Sequence, residues 1–249
     1  MLKTELKLDK NITYKPYGNN AILIEWNPII SEEILNDVLQ FKYKIEHQKE
    51  FKYCDLIVGY NSLTIQLHQP FTDFDAEKNT LKSIYSSSIK VAQNEHFIWE
   101  IPVCYDVEFG IDIQEVASKK GLTIDEVIDL HSEKTYTVFF IGFLPGFLYL
   151  GGLNEQLFID RKPNPRLKVS QGAVAIGGQQ TGVYPVDSPG GWNIIGKTPI
   201  PFFNVNARKS CFAKSGDYIK FKPISLEEYI EIKKKVKQNN FQISKTLKQ

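Results

Sequence analysis

One methionine, three cysteines and four histidines are few for 249 residues, and each scarcity removes a class of chemistry. Cys54, Cys104 and Cys211 are odd in number, far apart and without a C-x-x-C pair, which argues against a disulfide framework or a thiolate zinc site. A reducing cytoplasm is the expected compartment. His47, His68, His96 and His131 show no i,i+4 pair and no H-E-x-x-H, so no metal centre is expected. An excess of one charge is missing too: 30 Lys and Arg stand against 29 Asp and Glu, which makes no case for nucleic acid or an anionic membrane as partner. The charge-free run 138–153 falls short of the about 20 residues of a membrane span, and Pro145 with four glycines interrupts it, so it reads as buried strand and loop. Met1-Leu2-Lys3-Thr4-Glu5-Leu6-Lys7 alternates charge with leucine and lacks the apolar core of a signal peptide, so no export is expected.

What the chain does have is a concentration of backbone-shaping residues. Eleven of its sixteen glycines and seven of its twelve prolines lie between Gly142 and Pro201. Such segments let a backbone approach a ligand closely and commonly carry binding groups on a rigid scaffold. A turn-rich β domain is the plainer explanation.

Periodicity gives the elements. Ala21–Trp26 has strand character. After the N-cap Ser31, apolar Ile34, Leu35, Val38, Leu39 and Phe41 recur at helical spacing to about Lys49. Leu56–Val58 and Leu63–Leu67 flank a Gly-Tyr-Asn-Ser turn, Asp75 to Gln93 is predicted helical, and Phe97–Val103 is a further strand. From Ala21 the order is βαββαβ, the ferredoxin-like pattern. Residues 1–94 are thus expected to form a small α/β domain, although the strand at 97 could equally open the next one. Residues 111–120 predict a helix ended by Gly121, and Thr123 with Glu126 forms a capping box for another. Short strands then follow at 137–143, 173–176, 182–184, 192–195 and 218–221, which predicts a barrel or sandwich over 95–249. Ser225 with Glu228 caps a C-terminal helix, and the Lys/Gln/Asn-rich remainder is expected to fray.

Several motifs invite a functional interpretation. Gly191 to Thr198 spells G-x-x-x-x-G-K-T, but its interior favours strand and Pro199-Ile200-Pro201 blocks the helix a phosphate loop needs, so that identity is rejected. Lys197 is retained as a point charge for an anion. Asp187-Ser188-Pro189-Gly190-Gly191 offers backbone amides beside a hydroxyl, with a plain turn as the alternative. Arg166, in a Pro-stiffened loop with Arg161, Lys162 and Lys168, suits a carboxylate or phosphate, or a solvated loop. Gln179 and Thr181 sit between glycines, either for an amide-like ligand or as a hairpin tip. His131 falls just past a predicted helix, where an imidazolium would meet the C-terminal dipole; a substrate role is the sharper option.

The stretch Phe140-Ile141-Gly142-Phe143-Leu144-Pro145-Gly146-Phe147, with Gly172-Ala173-Val174-Ala175-Ile176-Gly177-Gly178-Gln179-Gln180-Thr181-Gly182-Val183-Tyr184-Pro185 and Ser188-Pro189-Gly190-Gly191-Trp192, resembles the B subunit of prokaryotic 5-oxoprolinase, the KipI or allophanate-hydrolase-subunit-1 family. Ile101–Tyr105, Glu108–Gly110 and Leu130–Ser132 share the likeness. It departs at Leu144 and Leu148, where Thr and Pro are common. The resemblance implies an α+β chain: a ferredoxin-like domain followed by a cyclophilin-like β-barrel. It also implies work in a complex with a KipA-like C subunit and a LamB/YcsF-like A subunit, opening 5-oxoproline to glutamate with ATP and Mg2+. The substrate-binding candidates are then His131, Arg166, Gln179, Thr181, Tyr184, Ser188, Gly190, Gly191 and Lys197, with no catalytic residue assigned. Two alternatives attach to the same likeness, a KipI-type inhibitor of a sporulation histidine kinase and a carboxyltransferase-like component of urea or amide metabolism.

Overall fold

In a computed structural model that describes residues 11–89 and 95–248, contacts divide the chain into Met1–Asn94 and Glu95–Gln249. Met1–Lys7, where no export signal is expected, lies outside the described residues, as do Lys90 to Gln93 at the end of the predicted second helix.

The first unit runs β1 (Thr13–Tyr17), β2 (Ala21–Glu25), α1 (Glu32–Glu46), β3 (Asp55–Val58), β4 (Ser62–Gln66) and α2 (Phe74–Ser86). The Ser31 hydroxyl accepts the Ile34 amide at 3.2 Å, and the stripe Ile34, Val38, Phe41 and Ile45 is buried with Ile22, Ile24, Leu63 and Ile65. Asp37 lies within this core, where its carboxylate accepts from Trp26 Nε1 at 2.6 Å and the Tyr85 hydroxyl at 2.7 Å. A buried carboxylate is tolerated because two donors meet it.

The sheet order is β1-β2-β4-β3, antiparallel throughout. The βαββαβ expectation is corrected to ββαββα: the place beside β2 goes to β1, and the strand at 97 belongs to the other unit's sheet. Thr13-Tyr14-Lys15-Pro16-Tyr17 gives no strand signal because of its proline, yet an edge strand tolerates a missing N–H. Helix α2 also ends earlier than Gln93, at Ser86, where Ser87 turns extended.

The second unit contains β5 (Phe97–Val103), α3 (Ile113–Lys120), α4 (Ile124–Ser132), β6 (Thr135–Ile141), β7 (Leu148–Gly151), β8 (Arg166–Val169), β9 (Ala173–Gly177), β10 (Gln180–Val183), β11 (Ser188–Gly190), β12 (Asn193–Lys197), β13 (Tyr218–Pro223), α5 (Leu226–Lys237) and β14 (Lys245–Leu247). Both capping boxes form, at Thr123 and Ser225, and Gly121 closes α3 at φ 66°. The eight-stranded sheet has the order β12-β9-β10-β7-β6-β13-β5-β14. Cys104, one residue beyond β5, exchanges backbone hydrogen bonds of 2.9 and 2.8 Å with Lys197 of β12, so the sheet curls back towards itself. Gly110 lies where the turn after β5 crosses β12: a Cβ there would sit 2.4 Å from the Ile195 carbonyl.

The C-terminal remainder does not fray throughout, since β14 pairs with β5 and Lys245 Nζ lies 4.0 Å from the centre of the Phe97 ring. Strand β9 positions everything that follows. Ala173-Val174-Ala175-Ile176 is buried on both faces: Val174 and Ile176 join the main core, while Ala173 and Ala175 join a second cluster with Phe147, Tyr184, Trp192 and Ile194. Among the described residues no helix is long and apolar enough to cross a membrane.

Candidate functional site

On the core side of β9 and β10, His131 is completely buried and its hydrogen bonds fix its state. The Thr181 hydroxyl donates to the Ala175 carbonyl at 3.1 Å, which leaves it to accept from His131 Nε2–H at 2.8 Å. Nδ1 then accepts the Tyr105 O–H at 2.7 Å. The result is a one-way chain, Tyr105 to His131 to Thr181 to Ala175, with the imidazole stacked on Phe221 at 4.7 Å. Burial holds the His131 pKa down to about 3 and pushes the Tyr105 hydroxyl well up. The expected imidazolium at a helix end is therefore corrected to a neutral ring, and neither His131 nor Thr181 is exposed to a ligand.

The other side of β9 carries an open cleft of about 290 Å³. Its aromatic lining is Phe143, Phe147, Tyr149, Tyr184 and Trp192; Arg161, Lys162, Pro165, Pro189, Gly190 and Gly191 complete it. Phe147 meets Tyr184 and Trp192 edge to face at 5.6 and 5.5 Å. The Arg161 guanidinium lies 5.6 Å from the centre of the Trp192 ring. Gly190 is required by contact, since a Cβ would sit 2.2 Å from the Tyr184 hydroxyl. That hydroxyl accepts from the Trp192 backbone amide, and burial raises its pKa.

An ion cluster pins the cationic wall. Asp112, the residue before α3, is 2 % exposed; its Oδ2 accepts the Ile194 amide at 2.7 Å, and its Oδ1 accepts Arg166 Nη2 at 2.5 Å and Lys162 Nζ at 3.1 Å. Lys162 also pairs with Glu115, whose pKa falls to about 2 through hydrogen bonds from Lys119 and Lys162. Strand β8 pairs with β11, and the Lys162 amide donates to the Gly191 carbonyl at 2.6 Å. Arg161 is thus carried on a loop fixed at both sides. Arg166 Nη1 and Ser188 Oγ are buried behind this wall without a hydrogen-bond partner among the described residues.

The sequence candidates therefore separate. Tyr184, Gly190 and Gly191 line the cleft, while Arg166 and Ser188 stand behind its wall. Gln179 is exposed at the β9–β10 turn, and Lys197 lines a different cleft. Sequence reasoning missed Phe143, Phe147, Tyr149 and Asp112 as site residues. The aromatic residues lie in a stretch that reads only as buried, whereas a lone acid ahead of a helix gives no signal.

Residues 12–213 match the family described as carboxyltransferase domain, subdomain C and D. The chain is 35 % identical over 222 residues to the 5-oxoprolinase B subunit of Bacillus subtilis (strain 168), covering 85 % of this chain and 92 % of that protein. The chain belongs to the family of 5-oxoprolinase B subunits. A solved relative of this family member, a conserved uncharacterized protein of Pyrococcus horikoshii, is 40 % identical with a TM-score of 0.52, over 87 % of this chain and all of that one. The K. lactis urea amidolyase superposes over 99 % of this chain and 17 % of its own, with a TM-score of 0.81 at 17 % identity, which is a likeness of fold. This family member spans about two fifths of another solved chain that it matches at a TM-score of 0.71.

Proposed function

We propose that this chain is the B subunit of an ATP-dependent 5-oxoprolinase, which opens 5-oxo-L-proline to L-glutamate together with a KipA-like C subunit and a LamB/YcsF-like A subunit. The observation that carries this reading is the aromatic cleft with Arg161 on its wall, in a chain 35 % identical to a protein named for that role. The substrate combines a flat, largely apolar ring with a carboxylate. Ring faces of Tyr149 and Trp192 suit the first, and a guanidinium fork on a pinned loop suits the second.

A lactam carbonyl is a poor electrophile. Phosphoryl transfer from ATP to its oxygen, with release of ADP, creates a leaving group; one water then adds to that carbon, phosphate leaves and the C–N bond breaks to give glutamate, so the activated species must be shielded from bulk water. An open cleft that a companion subunit covers meets that need, and it explains why the chain by itself would be inactive. In this reading ATP brings Mg2+ to the complex. The same reading takes the curled sheet as a cyclophilin-like barrel and the cell interior as its location.

The test mixes the purified chain with its C and A companions, 5-oxoproline and Mg-ATP, and measures glutamate. Turnover is expected from the full mixture and from no single component. A complete mixture that makes no glutamate overturns the proposal, and suppression of histidine-kinase autophosphorylation by the chain alone would favour the inhibitor role.

A further inference from the structure

A second cleft of about 390 Å³, also within the second unit, lies between the end of β12 and α5. Three lysines line it, Lys197 of β12 with Lys233 and Lys237 of α5; Lys197 Nζ lies 5.7 Å from the centre of the Phe109 ring and Lys233 Nζ 5.5 Å from that of Tyr229. None of the three has a carboxylate within 4.0 Å among the described residues. The acid on the lining, Asp187, is already engaged: its Oδ2 pairs with Lys168 at 3.0 Å and its Oδ1 accepts the Gln171 amide at 2.8 Å.

The spacing on α5 places Tyr229, Lys233 and Lys237 on one helical face at i, i+4 and i+8. Like charges are ordinarily dispersed, and here they converge on a concavity. Burial, followed by the charge of Lys233, holds the Lys197 ammonium below its ordinary pKa, with Asp187 opposing. Burial is the larger cause, so the positive character of the cleft rests on the three lysines that line it without a paired carboxylate among the described residues. A solvated lysine face would show the same count of charges without the half-buried Lys197 at its base.

The chemistry of the lining narrows the ligand. Backbone amides here are committed: Lys197 N donates to Cys104 O, Thr198 N to Gly172 O and Gly172 N to Tyr184 O, at 2.8 to 2.9 Å. Recognition therefore falls to ammonium groups, which act as point charges and suit a charge-dense phosphoryl group better than a planar carboxylate. Pro199 and Pro201 add a stiff apolar edge for an organic substituent. We infer that this cleft binds the phosphate group of a small molecule, with Lys197, Lys233 and Lys237 as its ligands, as a site separate from the aromatic cleft.

The test uses the full chain alone and is independent of 5-oxoprolinase turnover. Calorimetric titration compares inorganic phosphate, ADP, adenosine and glutamate against the parent and a K197Q/K233Q variant whose melting is unchanged. Phosphate and ADP are expected to saturate, more weakly as salt rises. The double substitution is expected to weaken both at least about tenfold, since each lost ammonium removes a charge-assisted contact to the phosphoryl oxygens. ADP tighter than phosphate would identify a substituted phosphate as the ligand, and equal affinity would identify the free ion. Absence of saturation by either probe, unchanged binding by K197Q/K233Q, or glutamate binding as tightly as phosphate would overturn the inference.

Discussion

The two faces of β9 and β10 hold polar groups in opposite conditions. On the core side, Tyr105, His131 and Thr181 satisfy one another in a closed chain. On the cleft side, Arg166 Nη1 and Ser188 Oγ are buried without partners among the described residues, and Phe143 holds a left-handed φ of 64° while 61 % exposed. Buried polar atoms are almost always paired, and strained or over-exposed residues gather where a surface meets something else. The contrast separates structure from chemistry better than residue type does, for a buried histidine and threonine look more catalytic on paper than a phenylalanine.

The sharpest way to break this contrast is H131A. It removes a stacked ring and strands the Tyr105 hydroxyl, while Thr181 keeps its bond to the Ala175 carbonyl, so a loss of about 4 kcal/mol is expected in denaturant unfolding. Unchanged stability with lost turnover would instead place the imidazole in the chemistry. The same group sets an acid response. Its folded pKa of about 3 lies below the ordinary 6.5, so the unfolded chain takes up the proton first. The stability His131 provides is complete above 6.5 and is lost as pH falls towards 3. Melting temperatures should show that slope in the parent and a shallower one in H131Q. Next in size is D112A, which leaves Arg166 and Lys162 without their shared carboxylate at the wall of the cleft; about 3 kcal/mol is expected, with weaker ligand binding because the Arg161 loop loosens.

How much of this was legible in the sequence depended on range. Caps and turns were readable because their signals are local: Ser31, Thr123 with Glu126, Ser225 with Glu228, and Gly121 all act where they were placed. The strand Thr13–Tyr17 was hidden by Pro16, and β14 by its polar composition; both are edge strands, whose pairing is a tertiary matter. Glycine clustering located the cleft through Gly190 and Gly191, but it gathered Thr181 and Lys197 into the same candidate set. Periodicity says which residues alternate and not which face holds the ligand, so Thr181 pointed to the core and Lys197 to a second cleft. Asp112 makes its partners at Lys162, Arg166 and Ile194, at least fifty residues away in sequence.

Two substitutions on the cleft side give smaller effects on stability and larger ones on function. G190A would press a methyl group to 2.2 Å from the Tyr184 hydroxyl, and the ring can yield only by moving against Phe147. A loss of about 2 kcal/mol is expected, together with a KM that rises more than kcat falls, measured on the reconstituted complex.

F143G is expected to alter stability least. Relief of the left-handed backbone should stabilise by about 1–2 kcal/mol. The added freedom of glycine in the unfolded chain opposes this by about 0.5–1 kcal/mol. Loss of the edge-to-face contact with Phe147, at 5.6 Å, offsets about 0.5–1 kcal/mol more. These terms nearly cancel, so the melting temperature should stay within a few degrees. Turnover by the complex should nevertheless fall about tenfold or more, because the ring that the backbone is strained to present is gone. A glycine variant that melts higher and works as well as the parent would remove Phe143 from the site and erase the difference between the two faces at its most exposed point.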